Sequence, residues 1–232
     1  MSTWLITGAS RGLGSHLTRQ LADRGHRVIA CARDQARLAA LASGYAPGLI
    51  QPLVLDLADA AEIRSRLTPA LDQVGGLDGV INNAGFGFYK PFLAHTEAEL
   101  LAILQVNLTA VIQVCYTVLP QLLAQGQGHI VNIGSDLGRR PLANMAAYVA
   151  AKHGLTGFSH SLRRELRPAG IRVSLINPGI IDTDFGGGTE GSRDPAASLS
   201  PADLARLIIQ VIEQPGYTLV DELSVHPLGQ DF

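Results

Sequence analysis

Cysteine is scarce in this chain: its 232 residues include only two, Cys31 and Cys115. Two cysteines cannot form a disulfide framework or a four-ligand zinc site. The seven histidines are scattered, and only His153 and His160 lie near each other on an expected helix. We therefore expect no metal site, and the low cysteine count favours a reducing, cytoplasmic environment.

Charged residues are also few, at 16% of the chain, and the net charge at pH 7 is -2. No long block of one sign is present, which argues against electrostatic binding to nucleic acid or to a membrane surface. Hydrophobic residues make up 47% of the chain, so a large buried core can form. The length fits a single domain over residues 1–232. The first residues carry neither a basic region nor a cleavage site, so we expect no signal peptide.

One segment, residues 100–125, contains no charged residue and is long enough to span a bilayer. Seven amide and hydroxyl side chains and Pro120 interrupt it. A lipid-facing helix tolerates that many amides poorly. We therefore expect a helix that is buried in the domain or at a subunit interface, and no membrane span.

Short apolar runs alternate with helical patterns along the whole chain. Expected strands cover residues 3–7, 27–32, 50–55, 77–82, 129–134, 171–177 and 217–225. Expected helices run from the first glycines to residue 25 and over 35–43, 58–74, 97–124, 145–168 and 200–214. Strands without polar alternation, separated by helices, are typical of a parallel sheet buried on both faces. The pattern predicts an α/β fold with one doubly wound, seven-stranded parallel sheet of the Rossmann type.

A glycine-rich turn follows the first expected strand and precedes the first helix. Gly8 and Gly12 let the backbone turn sharply and approach a ligand, and Gly14 lets the helix pack close to the strand. The helix N-terminus then offers free N–H groups to a pyrophosphate. The spacing, Gly-x3-Gly-x-Gly, differs from the usual dinucleotide pattern. A plain tight turn is the alternative interpretation.

Arg33 stands at the end of the second expected strand, where an acidic residue normally accepts the ribose 2′-hydroxyl of NAD. A guanidinium at that place suits a 2′-phosphate instead, because it neutralises the charge and forms bidentate hydrogen bonds. Arg11, inside the glycine turn, adds a second positive charge. These residues favour NADP(H) over NAD(H). Asp34 follows directly, so a plain surface charge is the alternative for Arg33.

Tyr148 and Lys152 lie four positions apart and therefore share one side of a helix. The unperturbed pKa of tyrosine is about 10. A nearby ammonium favours the phenolate and lowers that pKa. The pair thus predicts a general acid/base with its own tuning charge. A solvated helix face explains the same spacing without chemistry.

Together these features resemble the short-chain dehydrogenase/reductase family over nearly the whole chain. The motifs that carry the resemblance occur in the family's order. They are Thr7-Gly8-Ala9-Ser10-Arg11-Gly12-Leu13-Gly14, Asp56-Leu57, Asn82-Asn83-Ala84-Gly85, Asn107, Ser135, Tyr148-x3-Lys152 and Pro178-Gly179-Ile180-Ile181-Asp182-Thr183. The resemblance implies hydride transfer between NADP(H) and a carbonyl or alcohol substrate.

The resemblance assigns catalytic roles to four residues. It implies that Tyr148 exchanges a proton with the substrate oxygen and that Lys152 tunes Tyr148 and binds the nicotinamide ribose. Ser135 then hydrogen-bonds the reacting carbonyl, and Asn107 holds a water that links Lys152 to solvent. Ser135 as a plain strand-end cap is the alternative.

Cofactor roles follow from the same resemblance. Asp56 is expected to contact the adenine amine, although an ordinary turn acid is the alternative. Asn83 to Gly85 are expected to line the adenosine, and Ile181 and Thr183 to hold the carboxamide. The full expected set is Gly8, Ser10, Arg11, Gly12, Leu13, Gly14, Arg33, Asp56, Leu57, Asn83, Ala84, Gly85, Tyr148, Lys152, Pro178, Gly179, Ile181 and Thr183.

The substrate side is less readable. The expected lining is residues 86–89, 136–140, Leu142 and a short Gly-rich lid over about 185–199. Asp136 either points outward or selects a polar or cationic substrate. Members of the family commonly form homodimers or homotetramers, which fits the uncharged helix over residues 100–125. A non-catalytic NADP(H)-binding sensor or scaffold of the same fold is the alternative function.

Overall fold

The computed structural model describes residues 1–230 and contains one parallel sheet. The strand order is β3-β2-β1-β4-β5-β6-β7, and each neighbouring pair is parallel. Because β1 pairs with both β2 and β4, the chain reverses its winding direction there and opens a crevice at the carboxyl ends of the strands. The strands are β1 Thr3–Thr7, β2 Arg27–Ala32, β3 Ile50–Val54, β4 Gly79–Asn82, β5 Gly128–Ile133, β6 Ile171–Pro178 and β7 Glu222–Val225.

Helices cover both faces of the sheet, and several begin at residues that suit a helix start. Asp34, Asp59 and Ser200 each accept a backbone N–H of the first turn that follows them. Thr96 and Glu99 form a reciprocal capping box. The helices are α1 Gly12–Asp23, α2 Gln35–Ala42, α3 Ala60–Val74, α4 Glu97–Leu104, α5 Ala110–Gln125, α6 Ala146–Leu166 and α7 Pro201–Ile212.

Two hydrophobic cores lie on opposite faces of the sheet. Ile6 packs in the core that contains α1, α2 and α7. Its neighbour Leu5 packs in the core that contains α3, α5 and α6. Successive side chains of a strand point to opposite faces, so one apolar strand supplies both cores. This explains why the strands lack polar alternation and confirms the predicted doubly wound α/β sheet.

The long uncharged segment forms α4 and α5, which join through one π-helical turn at Gln105–Thr109. By length and composition, Glu97–Gln125 is the one helix of residues 1–230 that could cross a membrane, and 44% of its most apolar stretch is buried. The π turn places Asn107 in a fully buried position. Inserted turns of this kind are frequent at functional sites.

The last strand starts later than expected. Residues 217–221 were predicted as part of it, but β7 begins at Glu222. The carbonyls before it are taken by side chains of β6, since Arg172 donates to Thr218 O and Ser174 donates to Val220 O. These carbonyls therefore do not join a strand ladder.

The expected lid contains one short 3₁₀ turn, Phe185–Gly187, and is otherwise irregular. A single bridge between Ile181 and Leu199 closes its base. Asp184, directly before the lid, lies 3.5 Å from Arg11 of the glycine-rich turn. Glu190 of the lid lies 2.9 Å from His16 of α1. The segment therefore lies against the glycine-rich turn.

Substitution Gly79→Ala should destabilise the fold, because an added Cβ would lie 2.3 Å from Trp4 Cζ3 and 2.5 Å from His129 O. We expect the free energy of unfolding to fall by about 1–3 kcal/mol, the usual cost of overpacking a core. The control is Gly44→Ala, where a Cβ meets nothing within 4 Å. Denaturant titration measures both, and equal stabilities would contradict the packing described for β4.

Candidate active site

The turn between β1 and α1 is built by glycines and held by the end of β4. Gly8 and Gly12 have positive φ values of 67° and 50°. A Cβ on Gly14 would lie 2.1 Å from Gly8 O, so only glycine fits there. Asn83 donates its amide to Thr7 O at 2.9 Å. In return, Thr7 Oγ1 accepts the N–H of Asn83 at 3.0 Å. Thr7 belongs to the expected motif, and its bond to β4 is what fixes the turn.

A cavity of about 970 Å³ opens at the carboxyl edge of the sheet. It runs from the glycine turn to Tyr148. Two of the expected site residues, Gly14 and Asn107, do not line it. The expected residues that line it are Gly8, Ser10, Arg11, Gly12, Leu13, Arg33, Asp56, Leu57, Asn83, Ala84, Gly85, Ser135, Tyr148, Lys152, Pro178, Gly179, Ile181 and Thr183.

One end of the cavity carries two arginines, each near an aspartate. The Arg33 side chain is 71% exposed, with Nη1 3.9 Å from Asp56 Oδ2. Arg37 also lines this end and pairs with Asp34 at 3.2 Å. Sequence reasoning missed Arg37, although its position four residues after Arg33, in the first turn of a helix, was the available signal.

Asp34 and Asp56 both have structural contacts at this end. Asp34 Oδ1 accepts Arg37 N as the N-cap of α2. Asp56 Oδ1 accepts Ala58 N at 2.9 Å, which is the bond of an ordinary turn acid. Its other oxygen is near Arg33. Asp56 therefore shapes the turn and also lines the cavity.

Tyr148 lies on the first turns of α6, opposite the end of β5. Tyr148 is 9% exposed and Lys152 is 4% exposed. Lys152 Nζ donates to Ile133 O at 2.8 Å and lies 5.5 Å from the centre of the Tyr148 ring. Ser135, two residues after the end of β5, is near enough to Tyr148 to favour the phenolate and lower the Tyr148 pKa. The three residues therefore meet in the cavity, and the solvated-face interpretation of the Tyr–Lys pair is wrong.

The electrostatics of the pair differ from the sequence expectation. Burial raises the pKa of Tyr148 above its ordinary value; the Ser135 hydrogen bond opposes this, and the Asp136 charge adds to it. Burial also lowers the pKa of Lys152 to about 8. Lys152 is not among the causes that act on the Tyr148 pKa, so the tuning of Tyr148 by Lys152 stays a prediction.

Asn107 is fully buried in the π turn, and its amide is half satisfied. Nδ2 donates to Phe86 O at 2.8 Å and to Ile103 O at 2.9 Å. Oδ1 is buried without a hydrogen-bond partner. A Cβ on Gly85 would lie 2.7 Å from this oxygen and 3.8 Å from Lys152 Nζ. The free acceptor thus faces a small space beside Lys152.

Asp136 faces the cavity and does not point outward. Its Oδ1 accepts the Ser135 hydroxyl at 3.0 Å, and its Oδ2 accepts Gln230 Nε2 at 2.7 Å. Gln230 follows β7 and was not identified from sequence. No motif marks it, because its partner is distant in the chain.

Fewer residues than expected line the substrate side of the cavity. Phe86, Phe88 and Phe185 line it, and the Phe185 ring centre is 5.3 Å from that of Tyr148. Five residues of the expected lining do not line the cavity: Tyr89, Gly138, Arg139, Arg140 and Leu142. Tyr89 and Leu142 are exposed, and Arg139 pairs with Glu222 on β7. Arg193 of the expected lid lines the cavity, and so does Met145, which was missed.

The chain matches the family model described as short chain dehydrogenase over residues 2–193. It is 35% identical to the 3-oxoacyl-(acyl-carrier-protein) reductase of Vibrio cholerae over 181 residues, which cover 78% of this chain and 74% of that protein.

Solved structures agree with the observed fold. The alcohol dehydrogenase of Thermococcus sibiricus, complexed with 5-hydroxy-NADP, has a TM-score of 0.93 and 28% identity, and the match covers 100% of this chain and 99% of that one. A metagenomic short-chain oxidoreductase in complex with NADP has a TM-score of 0.85 and 34% identity, with 97% and 96% covered. Motifs, sheet order, site geometry and relatives agree, and the chain belongs to the short-chain dehydrogenase/reductase family of oxidoreductases.

Proposed function

We propose that this protein transfers a hydride between NADP(H) and a carbonyl or alcohol substrate, with Tyr148 as the general acid/base. The observation that carries the proposal is the meeting of Tyr148, Ser135 and Lys152, all buried, in the cavity that continues to the glycine-rich turn. A buried tyrosine, hydroxyl and ammonium are costly to assemble without a use.

The residues of the cavity fit a nicotinamide dinucleotide. A Cβ on Gly12 would lie 3.1 Å from Thr183 Cγ2, so the glycine keeps the turn open towards the segment after β6. The N-terminus of α1 then presents free N–H groups where a pyrophosphate would lie. Lys152 is proposed to bind the nicotinamide ribose, and Ile181 and Thr183 the carboxamide. When bound, the nicotinamide supplies or accepts the hydride.

NADP(H) is proposed over NAD(H) because three arginines lie at the adenosine end. Arg33 directly follows β2, Arg37 lies in the first turn of α2, and Arg11 lies in the glycine turn. Guanidinium groups bind a 2′-phosphate through charge and paired hydrogen bonds. The pairing of Arg33 with Asp56 at 3.9 Å is weak, because the Arg33 side chain is 71% exposed and solvent screens it. Both structural relatives described above contain NADP or an NADP derivative.

The proton chemistry follows from burial. Because the pKa of Tyr148 is raised, its hydroxyl stays protonated at neutral pH and can donate to a substrate oxygen during reduction. Ser135 lies beside Tyr148 and is proposed to hydrogen-bond the same substrate oxygen. In the reverse direction the phenol must lose its proton, and the Lys152 ammonium stabilises the phenolate.

Asn107 is proposed to complete a proton path. Its unpartnered Oδ1 accepts a water in the space near Lys152 Nζ, as the orphaned atom requires. Such a water links Lys152 to solvent. Asn107 therefore acts through Lys152 and does not touch the substrate.

The proposed substrate is a small carbonyl compound or alcohol with an apolar or aromatic body. Three phenylalanines line this side of the cavity, and the Gly-rich lid over 185–199 lies at its mouth. The exposed apolar side chains Leu101, Ile112, Tyr116 and Leu123 lie on α4 and α5. We infer that this surface forms a homodimer or homotetramer interface, and that the single-domain protein works in the cytoplasm.

Tyr148→Phe should reduce turnover by at least about 100-fold, the usual contribution of a positioned acid/base, while NADPH affinity stays nearly unchanged. Tyr217→Phe, at a residue 93% exposed, is the control and should behave as wild type. The measurement is NADPH oxidation over a panel of aldehydes, ketones and quinones, with binding followed by fluorescence. Tight NADPH binding by the wild type without turnover on any compound would favour the sensor.

Arg33→Ala should weaken NADPH binding by about ten- to hundred-fold, as expected for loss of a charge-assisted hydrogen bond, and should leave NADH nearly unaffected. Arg206→Ala on α7, which removes an exposed guanidinium paired with Asp203, is the control. Calorimetric titration with NADPH and with NADH gives the ratio of the two affinities for each variant. An equal loss for NADPH and NADH would refute the 2′-phosphate role.

A further inference from the structure

Two neighbours in the chain hold the Ser135 hydroxyl. Its proton goes to Asp136 Oδ1 at 3.0 Å, and its oxygen accepts the N–H of Leu137 at 3.1 Å. A hydroxyl has a single proton, so the Asp136 carboxylate sets the direction of the Ser135 hydroxyl.

The Asp136 carboxylate is itself held in place by Gln230. Nε2 of Gln230 donates to Asp136 Oδ2 at 2.7 Å. Oε1 of the same amide accepts the backbone N–H of Ile180 at 2.9 Å. A backbone N–H can only donate and a carboxylate can only accept, so the orientation of the amide is determined at both ends. Glutamine supplies the one donor and the one acceptor that this place requires.

The packing around Gln230 leaves little freedom. A Cβ on Gly179 would lie 2.1 Å from Gln230 Oε1 and 2.9 Å from His226 Cδ2. Gly229 N also donates to Ala196 O at 3.0 Å, which ties this segment to the end of the lid. The segment after β7 therefore contacts the loops on both sides of the cavity.

We propose that Asp136 and Gln230 are positioning residues for the reaction: Asp136 holds the Ser135 hydroxyl and Gln230 holds the Asp136 carboxylate. This inference rests on the proposed function of Ser135 and Tyr148. Neither residue touches the reacting atoms. With Ser135 held in this way, the Tyr148 hydroxyl keeps its own proton for a substrate oxygen.

The charges that face Tyr148 come from three places. Lys152 lies on its own helix, Asp136 follows β5, and Asp184 and Arg193 of the segment after β6 line the same cavity. Asp136 is the one that raises the pKa of Tyr148 by its charge. Removing that charge should therefore lower the Tyr148 pKa, and carbonyl reduction, which needs the protonated phenol, should be lost at a lower pH.

The first test is Asp136→Asn, with Asp72→Asn on the exposed side of α3 as the control. The alkaline limb of the reductive pH profile should move down by roughly one unit, the typical effect of one nearby charge. Tyrosinate absorbance is measured in parallel without substrate, subtracting the double variant Asp136→Asn with Tyr148→Phe. A Tyr148 titration unchanged from wild type would overturn the role of Asp136.

The second test compares Gln230→Ala and Gln230→Glu, with Gln127→Ala and Gln127→Glu at an exposed turn as controls. Gln230→Ala should lower kcat by about three- to ten-fold at every pH, the worth of one hydrogen bond, with KM little changed. Gln230→Glu should work like wild type at acid pH, because a protonated carboxyl reproduces the donor and the acceptor. It should fail as the pH rises and the two carboxylates repel each other.

A space-filling role predicts that Gln230→Glu keeps the wild-type pH profile, and that result would overturn the proposal for Gln230. Thermal melts separate loss of folding from loss of positioning. A wild type without turnover on any substrate would count against the proposed function alone, because the tyrosinate titration still tests Asp136. Wild-type turnover with unchanged profiles in the Asp136 and Gln230 variants would overturn only this inference.

Discussion

The hydrogen bond from Lys152 Nζ to Ile133 O is the contact on which the site depends. It joins α6 to the end of β5 and so brings Tyr148 beside Ser135. A buried ammonium is costly unless it is hydrogen-bonded, and the last carbonyl of a strand provides an acceptor that cannot move. The pKa of Lys152, lowered to about 8, shows that this compensation is partial. The ammonium is thus fixed in place and still available to further acceptors.

The same logic explains the π turn. Asn107 lies in the π turn, which inserts one residue into the helix, and from there its amide donates to Phe86 O while the residue stays buried. The insertion costs regular hydrogen bonding, which the Asn107 amide restores by donating to Ile103 O. Its remaining oxygen is the orphan that faces Lys152. The π turn between α4 and α5 is therefore linked to Lys152, which lies on α6.

The sequence predicted the elements whose signal is local. Apolar runs and glycine positions located six strands closely, because a strand buried on both faces has no polar residues to obscure it. The seventh was predicted too long, since its preceding carbonyls bond to Arg172 and Ser174, which a local pattern does not reveal. The motif residues were found by resemblance. Arg37 and Met145, which line the cavity, and Gln230, which contacts Asp136, were not, because no motif marks them.

The raised pKa of Tyr148 did not follow from the sequence for a related reason. A sequence shows which charges are neighbours, and the Tyr–Lys spacing suggested stabilisation of the phenolate. Burial acts on both groups at once and favours the neutral form of each, so Tyr148 gains proton affinity while Lys152 loses it. The free site is therefore set for proton donation. A substrate oxygen beside Ser135 would then accept the Tyr148 proton, and the Lys152 ammonium would stabilise the phenolate that remains.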